Sequence, residues 1–229
     1  MKQICKLVVM LLLTFTAGVQ AQLVTYPESL NPGIPHNDDY TVRVRIPGGE
    51  WKDLFEYNVQ VDMDNVQKAS MVQFDMGSVV EVMVKKNNGS VREVTIRPLS
   101  KGIEYKQVQN AILFTLEKPQ YLSFEFDGDR LHNLHLFANP LETEKYDKEA
   151  KGIMYFSPGV HRPKDLPNNQ IRIPGNTIVY LAPGAVVKAK LLVDKAENVR
   201  IIGRGILDHP IRGIEVTDSK NVLIDGITE

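Results

Sequence analysis

The sequence predicts an all-β fold in which an N-terminal β-sandwich is followed by the first coils of a right-handed parallel β-helix. Between residues 39 and 140, apolar and polar side chains alternate with a period of two, which is typical of strands with one buried and one solvated face. Closer to the C-terminus, a short phrase that begins with asparagine recurs at intervals of 22 and 23 residues. Such a period is typical of a solenoid, whose coils bury their apolar faces by stacking. The three copies occupy residues 176–179, 198–201 and 221–224.

Residues 1–21 have the features of a secretory signal peptide. A short basic start precedes an entirely apolar run at residues 7–13, and Ala21 supplies a small residue at the expected cleavage point. The apolar run is too short to span a membrane, and a buried N-terminal helix is the alternative interpretation. We expect cleavage before Gln22 and a mature protein that is secreted or periplasmic, in a bacterial envelope.

Charge and cysteine content argue against several classes of function. Acidic residues outnumber basic residues by 28 to 27, so no basic surface for nucleic acid is predicted. Cys5 is the only cysteine of the sequence and lies within the predicted signal peptide. The mature chain is therefore predicted to have no disulfide, no thiol nucleophile and no thiolate metal site.

Residues 22–141 form the predicted sandwich. Asn87-Asn88-Gly89 separates two strand-like runs, 79–86 and 90–97, and its tolerance of positive φ predicts a tight hairpin. Asp127-Gly128 ends a later strand in a similar way. No part of this region has helical periodicity, so we expect antiparallel sheets packed face to face. The alternating runs lie at residues 41–46, 55–63, 93–97 and 122–127.

A charged linker, residues 142–152, separates the sandwich from the solenoid at 153–229. Seven of the ten residues from 142 to 151 are charged, which predicts a solvated linker or, equally well, an exposed helical turn. Pro-Gly phrases at 155–160 and 180–186 then predict sharp corners between short strands. These strands carry few charges, as expected of stacked parallel strands, and leave no room for crossover helices.

The polar residues that recur in the coils are the first candidates for chemistry. Asn176, Asn198 and Asn221 hold the same position in the phrase, so we expect them to bond to one another along the stack rather than to a ligand. Paired carboxylates would serve glycoside hydrolysis, but turn capping is the favoured interpretation of the acidic residues here. These residues are Asp208, Asp218 and Asp225.

Other motifs have a functional and a structural interpretation, and the structural one is favoured for each. Gly203-Arg204-Gly205 resembles part of a phosphate loop, yet no helix follows, so a strand corner is expected. Two aspartate pairs lack the dense oxygen ligands of a calcium site. The histidines lack the spacing of a metal site, apart from one pair. Isolated aromatic residues are expected to pack in the protein rather than to stack on a sugar. No catalytic, cofactor-binding or metal-binding residue is assigned. The residues considered are Asp62 with Asp64, Asp127 with Asp129, His132 with His135, the histidines His36, His161 and His209, and Tyr26, Tyr40 and Trp51.

The corner phrases of the solenoid resemble those of a known family. Residues 155–160, 179–188 and 198–208 resemble the opening coils of pectin-lyase-like β-helix glycoside hydrolases. The polygalacturonase family (glycoside hydrolase family 28) and the dextranase family (glycoside hydrolase family 49) are the most similar. The resemblance covers residues 153–229, and the dextranase type also implies a sandwich before the helix. It implies hydrolysis of O-glycosyl bonds in a pectin-like or dextran-like polysaccharide by paired carboxylates, without a cofactor.

The catalytic motifs of that family are absent from this sequence. Polygalacturonases carry Asn-Thr-Asp, Asp-Asp and Gly-His-Gly, with a substrate-binding Arg-Ile-Lys, all in later coils. Only Asp38-Asp39 matches one of them, and it precedes the first predicted sandwich strand. No catalytic residue is therefore carried over, and the chain resembles the truncated N-terminal portion of an exported hydrolase. A polysaccharide lyase on the same solenoid and a non-enzymatic carbohydrate-binding or surface protein are the alternatives.

Overall fold

Strands make up nearly all the regular structure of the computed structural model. Two short 3-10 helices, Leu99–Lys101 and Pro167–Asn169, are the exceptions among the described residues. The predicted signal peptide lies outside the residues described, and no helix within them is long and apolar enough to cross a membrane. The described residues are 22–26, 33–62, 64–163, 167–208 and 212–229.

Eleven strands build the N-terminal sandwich. They are β1 (Leu23–Thr25), β2 (Tyr40–Arg45), β3 (Lys52–Asp53), β4 (Tyr57–Val61), β5 (Gln67–Met76), β6 (Val80–Lys86), β7 (Val94–Arg97), β8 (Lys106–Val108), β9 (Ala111–Leu116), β10 (Gln120–Phe126) and β11 (Leu134–Pro140). One sheet has five strands in the order β3-β2-β6-β9-β8. The other has six, in the order β1-β5-β11-β10-β7, with β4 also paired to β5.

The period-two pattern places one face of each central strand in a single hydrophobic core between the sheets. Val42 and Val82 from one sheet are fully buried against Phe74 and Phe124 from the other. The structure therefore has the predicted two sheets packed face to face, but their pairing is not antiparallel throughout. β5 and β11 run parallel, and residues Ser70 to Met76 of β5 are paired. Several strands separate β5 from β11 in the chain, so no tight turn joins them and imposes an antiparallel pairing.

The predicted hairpin at Asn87–Gly89 is wrong. The strand before it, β6, pairs with β2 and β9 in the five-stranded sheet, whereas β7 pairs with β10 in the other sheet. Asn87 turns toward the start of β2 instead: its backbone N–H donates to the carbonyl of Asp39 at 2.8 Å, and its side-chain amide donates to that of Asp38 at 2.9 Å. Both edges of β6 are already paired, so the chain crosses to the opposite sheet.

Ten further strands form a parallel β-helix. They are β12 (Ile153–Phe156), β13 (Gly159–His161), β14 (Gln170–Arg172), β15 (Ile178–Leu181), β16 (Ala185–Val187), β17 (Lys190–Asp194), β18 (Glu197–Gly203), β19 (Ile206–Leu207), β20 (Ile214–Thr217) and β21 (Lys220–Asp225). They assemble into three parallel sheets, β12-β15-β18-β21, β13-β16-β19 and β14-β17-β20. The described residues thus form three coils and the first strand of a fourth.

The interior of the β-helix follows the predicted stack of apolar residues. Val179 pairs in register with Ile201, and Ile201 with Ile224. Val179 and Ile201 are fully buried, together with Leu191 and other aliphatic residues of the neighbouring sheets. Ile224 is 46% exposed, so the prediction of an inward stack holds for the first two members and only in part for the third.

The asparagine ladder is confirmed. The side-chain amide of Asn198 donates to Oδ1 of Asn176 at 3.0 Å, and that of Asn221 donates to Oδ1 of Asn198 at 2.7 Å. All three residues have φ between 52° and 58°, a left-handed conformation that asparagine tolerates better than most residues. One residue type thus meets two requirements of each corner, the backbone conformation and the bond to the next coil.

Substitution at the middle of the ladder separates these two requirements. We expect Asn198→Ala to lower the free energy of unfolding by about 2 kcal/mol, because it removes two amide bonds and places a Cβ-bearing residue without a compensating side chain at φ 58°. Asn198→Gly also removes the bonds but relieves the backbone, so it should cost only about 1 kcal/mol. Urea denaturation measures both. An equal loss in the two variants would contradict the backbone argument.

Candidate functional site

The corner between β18 and β19 joins the β-helix to the sandwich through a buried ion pair. The Arg204 side chain is 6% exposed, and that of Asp75 on β5 is 3% exposed. Nε of Arg204 donates to the Asp75 carboxylate at 2.7 Å, and its terminal nitrogens donate to the carbonyls of Gly203 at 2.9 Å and Pro140 at 2.8 Å. Burial lowers the pKa of Arg204, but the hydrogen bond and charge of Asp75 outweigh it and leave that pKa raised. The pair is therefore ionic.

Two glycines near this arginine stand where a side chain would clash. A Cβ at Gly226, which follows β21, would lie 2.1 Å from Nη1 of Arg204. At Gly203, where φ is 129°, a Cβ would lie 2.0 Å from the carbonyl oxygen of Leu181. Gln73 completes the arrangement by donating from Nε2 to the Arg204 carbonyl at 3.1 Å. The Gly-Arg-Gly phrase is a strand corner, as predicted, but no pattern in the sequence indicates the ion pair.

Three residues of the predicted linker, Glu142, Glu144 and Tyr146, lie against the outer face of the β-helix, and we call them the acidic strap. Glu142 accepts a hydrogen bond from the Tyr180 hydroxyl at 2.9 Å, and the two oxygens of Glu144 accept from Arg200 at 3.0 and 2.9 Å. The Tyr146 ring stacks at 4.8 Å from that of Tyr180. Burial raises the pKa of Glu142, whereas the hydrogen bonds from Arg200 lower that of Glu144 to about 2.

A cleft of about 450 Å³ opens between the outer face of the six-stranded sheet and β21, and we call it the interdomain cleft. Tyr121, 51% exposed, and Phe137 form an aromatic pair on its wall, with ring centroids 5.4 Å apart and planes at 86°. His135 lies on the same wall, and Asp225 lines the cleft from the end of β21. Tyr121, His135 and Phe137 also border a second depression beside Leu99. These three residues form a ridge between the cleft and the second depression, and we call it the aromatic ridge.

A departure from alternation marks the aromatic ridge in the sequence. In β10, Leu122 and Phe124 enter the core, so the pattern assigns Tyr121 to the polar face. In β11, Leu134 and Leu136 enter the core, and Phe137 falls on the outer face. Two aromatic residues at positions that the pattern assigns to the solvated face therefore indicate this surface, and the sequence analysis did not use them.

The three aspartates of the β-helix lie at different corners and do not come together as one site. Asp208 follows β19 and forms an ion pair with Lys188. Asp218 lies in the turn between β20 and β21 with φ 46°. Asp225 alone lines the interdomain cleft.

The aspartate pairs of the sandwich cap turns. Oδ1 of Asp62 accepts the backbone N–H of Asp64 at 3.3 Å, and Oδ1 of Asp129 accepts that of His132 at 3.0 Å. Oδ1 of Asp127 accepts the N–H of Arg92 at 2.9 Å, a bond that lowers its pKa. Within the part of the chain that the structure describes, no group of three or more His, Cys, Asp or Glu is placed to hold a metal ion.

Most of the histidines have structural partners. His36 lies between Asp38 at 2.9 Å and Glu56 at 3.1 Å, and His132 contacts Asp129 at 3.0 Å. The other three follow no common pattern: His161 bonds to the carbonyl of Ser157 at 2.6 Å, His135 lies on the aromatic ridge, and His209 lies outside the described residues.

The aromatic residues considered as a sugar platform are packed. Tyr26 is 6% and Tyr40 3% exposed, and the Tyr40 hydroxyl donates to the carbonyl of His132 at 2.6 Å. Trp51 is covered by the guanidinium of Arg45, whose central carbon lies 4.3 Å from the ring centroid. Tyr26 and Tyr40 therefore offer no free aromatic surface for a sugar, and one face of Trp51 is occupied by Arg45.

Comparison with solved structures supports the architecture. The chain is similar to Dex49A from Penicillium minioluteum, with 21% sequence identity and a TM-score of 0.60. The similarity covers 80% of this chain and 47% of that one, so this chain spans about half the length of its structural neighbour. At this identity the match shows the fold. No protein-family model and no curated protein matches the sequence.

The buried ion pair gives a stability prediction. We expect Asp75→Asn to lower the free energy of unfolding by about 3–5 kcal/mol, because it leaves Arg204 charged and buried without a counter-ion. The double variant Asp75→Leu with Arg204→Met removes both charges and should recover most of that loss. Urea denaturation of each variant measures the difference.

The exposed pair between Arg43 and Asp53, in which the side chains are 44% and 65% exposed, provides the matched control. Asp53→Asn should cost less than about 1 kcal/mol because solvent screens the pair. Similar losses for Asp75→Asn and Asp53→Asn would show that the buried pair has no special role in joining the two parts.

Proposed function

We propose that this chain is the front part of an exported, polysaccharide-degrading glycoside hydrolase. The observation that supports this most is the order of its parts, a β-sandwich joined by a buried ion pair to a parallel β-helix. The same architecture gives the match to Dex49A. The corner phrases of the coils, which resemble those of pectin-lyase-like β-helix glycoside hydrolases, agree with it. Because the chain spans 47% of that neighbour, we place the paired catalytic carboxylates of the proposed enzyme beyond residue 229.

The chemistry of glycoside hydrolysis sets the requirement. It needs two carboxyl groups flanking the scissile bond, about 5 Å apart for retention or about 6.5–9.5 Å apart for inversion. Asp208 is engaged by Lys188. Asp225 and Glu229 both line the interdomain cleft, but Oε1 of Glu229 accepts the backbone N–H of Gly213 at 2.6 Å, which ties it to the turn before β20. In the proposed enzyme this chain supplies the scaffold, and further coils supply the acid and the base.

Activity measurements test this division of roles. Residues 22–229 alone should release no reducing sugar from dextran, polygalacturonate or rhamnogalacturonan, because a complete carboxylate pair is not assigned to them. A longer product that carries further coils should hydrolyse at least one of these polymers. A reducing-end assay compares the two proteins on each substrate.

Two results would contradict the proposal. Turnover by residues 22–229 that is lost on Asp208→Ala or Asp225→Ala would make those aspartates catalytic. An unsaturated, ultraviolet-absorbing product from the longer protein would instead indicate a lyase, since β-elimination leaves a double bond in the new sugar end.

Export is part of the proposal and has its own test. The basic start, apolar run and small residues of positions 1–21 support cleavage by signal peptidase. Protein recovered from the periplasm or the medium should begin at Gln22 when its N-terminus is sequenced. Recovery from the cytoplasm with residues 1–21 intact would contradict export.

A further inference from the structure

The aromatic ridge presents an unusual surface for the middle of a sheet. Tyr121 and Phe137 are directly paired across β10 and β11, and the Tyr121 ring is half exposed. The interdomain cleft reaches the buried contact around Arg204, since Gln73 lines the cleft and also donates to the Arg204 carbonyl. An exposed ring with an apolar face and a polar hydroxyl is the surface on which a sugar ring, which also has an apolar face and polar edges, packs well.

Polar side chains around the ridge lack protein partners. Within the part of the chain that the structure describes, the side chains of Gln60, His135 and Asp225 have no hydrogen-bond partner, although all three residues line the interdomain cleft. Burial lowers the pKa of His135, so its imidazole is neutral and offers one donor and one acceptor. Asn139, 3% exposed in the same wall, has an amide nitrogen without a partner among the described residues. Hydroxyl groups, which donate and accept, suit such a set.

The charges that line the interdomain cleft are negative. Asp225 and Glu229 are its carboxylates, and the Asp225 charge acts together with burial to raise the pKa of the Tyr121 hydroxyl. Arg204, a cation that acts on Tyr121, already has Asp75 as its counter-ion. A polyuronate chain would therefore meet like charges here, whereas a neutral sugar would not.

We propose that the interdomain cleft and the aromatic ridge bind a neutral oligosaccharide. Tyr121 is the stacking surface, and Gln60, His135 and Asp225 bond to the hydroxyls of the sugar. The volume of about 450 Å³ lies within the range of about 300–1,000 Å³ that is usual for small-molecule sites. The inference rests on the proposed polysaccharide function and narrows its substrate to an uncharged polymer held at a non-catalytic site.

Calorimetric titration of residues 22–229 tests the proposal with two probes, isomaltotetraose, which is neutral, and tetragalacturonate, which is anionic. The wild-type chain should bind isomaltotetraose and not tetragalacturonate. Tyr121→Ala should weaken that binding by about tenfold, the effect expected of a lost ring contact. Tyr121→Phe keeps the ring and should stay within about threefold of the wild type.

One further variant is a matched control, and another tests the charge of the cleft. Tyr105→Ala removes another partly exposed tyrosine, 39% exposed and remote from the cleft, and should leave the affinity unchanged. Asp225→Asn removes a charge but keeps a hydrogen-bonding group, so it should raise the affinity for tetragalacturonate relative to isomaltotetraose.

Three results would overturn the inference: no binding of isomaltotetraose at millimolar concentration, equal losses for Tyr121→Ala and Tyr105→Ala, or preference of the wild type for tetragalacturonate. Burial of the Tyr121 ring by further coils in a longer protein would also overturn it, and would be seen as loss of nitration of Tyr121 by tetranitromethane without any glycan. The reducing-end assay on the longer protein is independent of these results. If residues 22–229 bind no glycan, the proposed hydrolase function is unaffected. If the longer protein hydrolyses no polymer, the proposed glycan site is unaffected.

Discussion

The ion pair between Arg204 and Asp75 is the contact on which the arrangement of sandwich and β-helix depends. A charge buried this deeply is tolerated only when its counter-ion and remaining donors are satisfied. Arg204 meets that condition through Asp75 and the carbonyls of Gly203 and Pro140, which come from both parts of the molecule. Displacing one part relative to the other would leave the guanidinium unpaired, so the pair specifies one relative position as well as holding it. Gly226 is part of the same constraint, since a side chain there would occupy the space of the arginine.

Sequence reasoning succeeded where the determining interaction repeats or is local. The asparagine ladder was predictable because Asn176 and Asn198 recur at the period of one coil and meet the same backbone requirement. The hairpin at Asn87 failed because a turn residue permits a reversal but does not say which strand the chain then joins. Arg204 was missed because its partner lies 129 residues away, and no pattern in the sequence connects the two.

The acidic strap shows what composition leaves out about the linker. A run of charges is normally solvated, and most of the residues from 144 to 151 are indeed exposed. Glu142, however, accepts a hydrogen bond from Tyr180, and Glu144 accepts one from Arg200. These two partners project outward from adjacent coils, at positions that belong neither to the asparagine ladder nor to the inward apolar stack. The partners of a charged segment lie outside its own sequence, so composition can identify its polarity but not its contacts.

The same outward positions explain where the coils have room for chemistry. Inward positions must be aliphatic and the ladder position must be asparagine, so the outer row is the freest part of each coil. Along the sheet that contains β21 this row runs Tyr155, Tyr180, Ile202 and Asp225, paired in register from one coil to the next. The first three members belong to a packed cluster with Tyr146 of the strap. Asp225 is the first charged member of the row and lies where the strap ends and the interdomain cleft begins. The row is therefore aromatic or aliphatic where the acidic strap covers it and acidic where its surface is open. This places the carboxylate of Asp225 beside the aromatic ridge.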